Sequence, residues 1–125
     1  MATIADVMNR ELVTVPPSTT VSEAATTMGL RRVGSVLVLE GGRLAGIFTE
    51  RDVVKALSND INAASTPVSA WMTRNPTTIS PDSPAEEALG LMLSRHFRHL
   101  PVTQGGELVG MVSIRDLSRL SWKSG

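Results

Sequence analysis

The chain has 125 residues, 42% of them apolar, and its twelve basic and twelve acidic side chains cancel, which suits one compact domain with a real core. It holds no cysteine, which excludes disulfides, a thiol nucleophile and cysteine-ligated metal, and fits a reducing compartment. Residues 1–69 carry six basic against seven acidic groups and residues 70–125 six against five. No nucleic-acid arm, bilayer span or signal-peptide pattern emerges, so a cytoplasmic protein is expected.

In chain order, residues 6–10 read as a lead-in of about one helical turn. Residues 12–15 are extended, and Pro16-Pro17 ends them. Thr20 is a helix N-cap with Glu23 at N3, a capping box. Val21, Ala24, Ala25 and Met28 form an apolar stripe at helical spacing, and Arg31-Arg32 complements the end of the helix dipole. Residues 36–39 read as a buried strand, 40–43 as a turn and 44–48 as the returning strand. Thr49 caps a further helix with Asp52 at N3, and that helix carries Val53, Val54, Ala56 and Leu57. Residues 59–69 are small and polar and read as a linker.

The same order then returns. Residues 77–79 are extended and Pro81 breaks them. Ser83 is the expected N-cap, with Pro84 at N1 and Glu86 at N3, ahead of a stripe of Ala85, Ala88, Leu89 and Met92. Residues 100–102 and 108–112 form a hairpin around Gln104-Gly105-Gly106. Pro101 has no N–H to give a ladder, so a strand start or an edge is expected for it. Ser113 caps the last helix, with Leu117 and Leu120 facing inward. Residues 122–125 are a tail, in which Trp122 is a candidate core or subunit contact.

A shift of 64 residues lays 6–53 on 70–117 without a gap. Met8 falls on Met72, Arg10 on Arg74, Pro17 on Pro81, Glu23-Ala24 on Glu87-Ala88, Gly46 on Gly110 and Arg51-Asp52 on Arg115-Asp116. The chain is therefore a duplication, with copies at 1–62 and 63–125. Each copy is marginal in size alone, so two β-α-β-β-α subdomains packed about a pseudo-twofold axis are expected. The fold class is α+β, with antiparallel hairpins and a parallel neighbour across each first helix.

Chemistry concentrates in the stretches 46–52 and 110–116. Each runs from a glycine through an apolar strand to a hydroxyl residue, with an aspartate three residues on. One reading is structural: two capping boxes, each contributing about 1 kcal/mol. The other is ligand binding. Amides at a helix start take phosphate, and a nearby carboxylate accepts hydrogen bonds from ribose hydroxyls. Gly46 and Gly110 either admit a ligand or relax a strand. Arg98-His99 replaces Gly34-Ser35 of the first copy, and Arg51 and Arg115 precede the aspartates. These cations either neutralise phosphate or belong to a solvated face. There is no HExxH, no Walker or dinucleotide-binding glycine motif and no nucleophile elbow. His96 and His99 are the only histidines. No catalytic residue, metal site or required cofactor is expected, and few aromatic residues argue against nucleic acid.

The sequence resembles a cystathionine-β-synthase (CBS) domain pair, or Bateman module. The resemblance lies in Asp6-Val7-Met8 and Trp71-Met72-Thr73, in the first-helix stretches 17–24 and 81–88, in Arg98-His99-Leu100-Pro101-Val102, and in both G-x-x-[ST]-x-x-D stretches. It runs from about Ile4 to Leu120, and a stand-alone pair is expected. The resemblance implies a non-catalytic module with an adenosine-containing regulatory ligand (AMP, ADP, ATP or S-adenosylmethionine) in clefts between the copies. It implies ribose contacts for Asp52 and Asp116, phosphate or ribose contacts for Thr49 and Ser113, and base contacts near Thr14 and Thr78. Val36 and Leu100 would line the clefts, Arg98 and His99 would reach phosphates, and Arg51 and Arg115 are further candidates. It also implies a homodimer and an unidentified regulated protein. The alternative is a ligand-free dimeric adaptor whose hydroxyl–aspartate pairs only cap helices.

Overall fold

The computed structural model describes residues 2–120, so Trp122 lies outside the described residues. The elements are α1 (Ile4–Val7), β1 (Thr14–Val15), α2 (Val21–Arg31), β2 (Ser35–Glu40), β3 (Arg43–Thr49), α3 (Glu50–Asn59), β4 (Thr73–Arg74), α4 (Ala85–Arg95), β5 (His99–Gln104), β6 (Glu107–Ser113) and α5 (Ile114–Ser118). The class is α+β, with a β-α-β-β-α order in each copy. Thr20 and Glu23 form the expected capping box, the Glu23 amide donating to Thr20 Oγ1 at 3.1 Å and the Thr20 amide to Glu23 Oε1 at 2.9 Å. Both hairpins turn on two glycines of positive φ, Gly41 (59°) and Gly42 (78°), then Gly105 (59°) and Gly106 (84°). That conformation matches the twist of the flanking strands and excludes most side chains.

The chain divides into two compact units, and they are not the two sequence copies. The first unit is Val13–Pro76. The second joins residues 2–12 to 77–120. In the first, β1 runs parallel to β2, and β3 lies antiparallel to both β2 and β4, giving the order β1-β2-β3-β4. Its core holds Val36, Val38 and Phe48 with Val21, Ala24 and Met28 of α2, and Val68 and Met72. In the second, β5 and β6 pair antiparallel. Single bridges of Ile79 to Val102 and of Asn9 to Met111 stand where β1 and β4 stand in the first. Its core holds Leu100, Val102, Val112 and Leu117 with Ala85, Ala88 and Met92 of α4, and Ile4.

Each lead-in thus completes the unit built on the other copy, and its bonds repeat at the 64-residue spacing. The Ile4 amide donates to the Ser83 carbonyl (2.9 Å) as Val68 does to Thr19 (2.7 Å). Ala5 donates to Pro81 (2.9 Å) as Ser69 does to Pro17 (3.2 Å). The first amide of α4, Ala85, finds the Ala2 carbonyl at 3.0 Å, and that of α2, Val21, finds Thr66 at 2.9 Å. These bonds satisfy helix-start donors that nothing within the helix can satisfy.

Two local expectations change. Residues 59–69 are folded into the first unit: Ile61–Ser65 and Val68–Ala70 are 3-10 turns that bury Ala63 and Val68. Pro84 is the N-cap of α4 and Ser83 makes no cap. The Ser83 carbonyl is tied to Ile4 and Pro84 bridges Thr3, which fixes the entry one residue later than the Ser-Pro pattern implies. On α3 only Ala56 is buried, while Val54 and Leu57 are exposed. Pro101 is buried inside β5, which is an edge strand of its two-stranded sheet, as its missing N–H leads one to expect. At the matching position, the Leu37 amide donates to the Val13 carbonyl at 2.9 Å. Proline has no such donor, so 77–79 is held instead by the Ile79 amide on the Pro101 carbonyl (3.1 Å) and the Thr103 amide on Ile79 (3.0 Å).

Candidate functional site

The two candidate sets separate cleanly, one into each unit. Thr14, Val36, Thr49, Arg51 and Asp52 belong to the first unit, and Thr78, Arg98, His99, Leu100, Ser113, Arg115 and Asp116 to the second. In the first, Thr49 ends β3 and pairs with Ser35 at the start of β2, beside the fully buried Val36. Thr14 is exposed on β1, in register with Leu37. In the second, Ser113 ends β6 opposite His99, beside the fully buried Leu100, and Thr78 is exposed.

Both hydroxyl–aspartate pairs are capping boxes. Asp52 Oδ2 accepts from the Thr49 amide at 2.9 Å and from Thr49 Oγ1 at 3.2 Å. The Asp52 amide returns a bond to Thr49 Oγ1 at 3.4 Å. Asp116 Oδ2 accepts from the Ser113 amide (2.8 Å) and Ser113 Oγ (3.0 Å), and the Asp116 amide donates to Ser113 Oγ at 3.2 Å. In each box a single carboxylate oxygen takes both bonds.

The helix starts offer fewer amides to an anion than the sequence implies. The first amide of α3, Glu50, donates to the Gly34 carbonyl at 3.0 Å, and that of α5, Ile114, to the Arg98 carbonyl at 2.9 Å. The third amide of each helix is used in its box. With α5 only five residues long, its dipole is also small. Charge for an anion must therefore come from side chains. Arg51, Arg98 and Arg115 are exposed and His99 is half-buried; of these four basic side chains one belongs to the first unit and three to the second.

Burial raises the Asp52 carboxyl above its usual value, against the lowering effect of the Thr49 bonds and of Lys55 and Arg51. The folded chain therefore binds a proton more readily there than the unfolded chain does. The contribution of Asp52 to stability is most favourable below the unfolded-state value and declines as pH rises through the folded one. Wild type should accordingly gain melting temperature relative to Asp52→Asn as pH falls from 7 toward about 4. A loss over that range would mean that the capping bonds outweigh burial.

The motif glycines answer to the lead-ins. A Cβ on Gly46 would lie 2.7 Å from both Met72 Sδ and the Thr73 carbonyl oxygen. On Gly110 it would lie 2.6 Å from Met8 Sδ and 3.2 Å from the Asn9 carbonyl oxygen. The close approach that removes the side chain is made by the protein itself. Sequence reasoning missed Met8, Asn9, Met72 and Thr73 as supports of the site. The signal was there, in lead-ins that repeat as faithfully as the motifs.

Among the described residues, no buried side-chain nitrogen or oxygen lacks a partner, no acid, histidine or cysteine cluster could hold a metal, and no helix is long and apolar enough to cross a membrane.

The CBS domain family model matches residues 4–59 and 68–123. An uncharacterized 17.7 kDa protein of Acidianus ambivalens is 42% identical over 123 residues, 95% of this chain and 73% of that one. The CBS domain-containing protein CBSCBSPB5 of Arabidopsis thaliana is 43% identical over 103 residues, but this chain spans only 19% of its length. Among solved structures, the CBS-domain containing protein ATU1752 of Agrobacterium tumefaciens has 34% identity and a TM-score of 0.91, covering 94% of this chain and 98% of that one. The CBS domain pair of protein MJ0100, in complex with 5-methylthioadenosine and S-adenosyl-L-methionine, has 25% identity and a TM-score of 0.88, covering 95% and 94%. CBSX2 in complex with AMP has 26% identity and a TM-score of 0.82, covering 95% of each chain.

Proposed function

Because this chain belongs to the CBS domain family, as two tandem copies, we propose that it is a regulatory module that binds an adenosine-containing ligand at its hydroxyl–aspartate helix starts. As a CBS-domain pair it is regulatory rather than catalytic. The observation that carries the binding reading is that both units keep the strand end, hydroxyl and aspartate in one geometry, while relatives of the same fold hold AMP or S-adenosylmethionine.

The chemistry assigns the parts. A carboxylate has two acceptor oxygens. Oδ2 of Asp52 and of Asp116 closes the cap, and we assign Oδ1 to ribose hydroxyls. Thr49 Oγ1 and Ser113 Oγ each retain acceptor capacity beside the bonds they make. Exposed Thr14 and Thr78 flank the base, whereas Val36 and Leu100 are fully buried and stand in the cores behind it rather than lining a cleft. Arg98, His99 and Arg115 meet phosphates in the second unit, and Arg51 in the first. A phosphorylated ligand should therefore prefer the second unit, because charge-assisted bonds to phosphate are the stronger ones.

Homodimerisation, a regulated protein partner and a cytoplasmic location belong to the same proposal. Exposed Leu30 of α2, Val54 and Leu57 of α3 and Leu93 of α4 support self-association. The lack of cysteine supports a reducing compartment. A ligand that favours one arrangement of the dimer would shift its population, and the partner would read the shift.

Calorimetric titration with AMP, ADP, ATP and S-adenosylmethionine tests the binding. At least one should bind, and Asp52→Ala or Asp116→Ala should weaken it about tenfold or more, as loss of a bond to a charged group does. The capping boxes favour one competing reading, a ligand-free adaptor. It requires that none of the four ligands binds and that each variant loses only about 1 kcal/mol of stability.

A further inference from the structure

The lead-in of the first copy does more than fill the second unit, because its chain continues at once into β1. The Asn9 amide donates to the Met111 carbonyl at 2.8 Å, and the Met111 amide donates to the Asn9 carbonyl at 3.0 Å. Four residues later the Val13 carbonyl takes the Leu37 amide at 2.9 Å. The intervening chain is not slack at its start. Asn9 Oδ1 accepts from the Glu11 amide at 2.9 Å, and Arg10 Nη2 reaches the Ala5 carbonyl at 3.3 Å. Local side-chain bonds of this kind stiffen a turn.

The second strap is looser. Thr73 and Arg74 pair with Ile47 and Gly46 in the first unit, but the next main-chain grip in the second is Ile79, five residues beyond Arg74. Pro101 is the reason, since it lacks the amide that would hold the chain two residues earlier.

We propose that residues 9–13 are a strap that couples the two units, so that displacing Asn9 from β6 loosens β1 from β2. Met111 stands two residues before Ser113, and Val13 one residue before Thr14. The strap therefore joins the strand that carries one hydroxyl–aspartate pair to the strand that flanks the other. Coupling is a free energy shared by the two ends, so a constraint on either is felt at the other.

Hydrogen exchange at the Leu37 amide tests this without any nucleotide, and so independently of the binding proposal. Gly110→Ala crowds Met8 and the Asn9 carbonyl and should speed Leu37 exchange about fivefold. Asp6→Ala, which opens the α1 capping box, is the milder substitute should Gly110→Ala fail to fold. Ala88→Gly in α4 destabilises the second unit without touching the strap and should leave Leu37 unchanged. Inserting Gly-Ser-Gly between Glu11 and Leu12 should abolish the effect of Gly110→Ala, or of Asp6→Ala in its place. Equal acceleration by Ala88→Gly, no acceleration by the strap variants, or an effect that survives the insertion would each overturn the proposal.

Discussion

Ile4→Ala is expected to lower stability by about 3 kcal/mol, the usual cost of truncating a buried isoleucine. Ile4 is fully buried, and its core partners are Ile79, Ala85, Leu100, Val112 and Leu117, all of the second unit. Truncation deletes three carbons from a packed interior and leaves a cavity that α4 and β5 cannot fill without moving. In a chain of this size the melting temperature should fall by roughly 10 °C. Exchange of amides in residues 77–120 should accelerate more than exchange of those in 13–76. A loss below about 1 kcal/mol, or an effect confined to the first unit, would show that the lead-in is not seated in the second.

Gly46→Ala should cost about 3 kcal/mol, and Gly110→Ala only about 1 kcal/mol, although the two glycines occupy the same motif position. The difference lies in what each new methyl meets. At Gly46 one obstacle is the Thr73 carbonyl oxygen at 2.7 Å, and Thr73 is paired to Ile47. Moving that oxygen breaks the β3–β4 pairing. At Gly110 the nearest atom is the Met8 sulfur, the end of a flexible side chain, and the Asn9 oxygen is farther away at 3.2 Å. A thioether can rotate aside. Met8→Ala should therefore relieve Gly110→Ala, whereas Met72→Ala should leave most of the cost of Gly46→Ala. Urea titration of the four single and two double variants reads both cycles. Equal costs for the two glycines would place the crowding on the sulfurs alone.

Much of this architecture was legible in the residues. Capping patterns at Thr20, Thr49 and Ser113 marked three helix starts, because a hydroxyl followed by an acid at N3 satisfies donors that the helix cannot. Paired glycines marked both hairpin turns. The gap-free 64-residue repeat exposed the duplication, and the hydroxyl–aspartate pairs with Arg98 and His99 drew attention to the strand ends. What stayed hidden was which copy each lead-in joins. Ile4 and Met8 are apolar enough to enter either core, and nothing local distinguishes docking on one's own copy from docking on the other. Ser83 misled for a related reason. Its capping preference is a local energy of about 1 kcal/mol, and the backbone bonds that seat Ile4 and Ala5 on residues 81–83 override it. Pro101 sits mid-strand because only one of its neighbours needs the missing amide, and that neighbour is held through Ile79 instead.

Nitrogen-15 spectra recorded while AMP, ADP, ATP and S-adenosylmethionine are titrated in turn would test the central claim most directly. The prediction is that at least one ligand shifts the amides of residues 49–52 with Thr14, or of 113–116 with Thr78, and that the matching Asp52→Ala or Asp116→Ala variant abolishes those shifts. Spectra unchanged by all four ligands would contradict it, and would leave the two aspartates as helix caps alone.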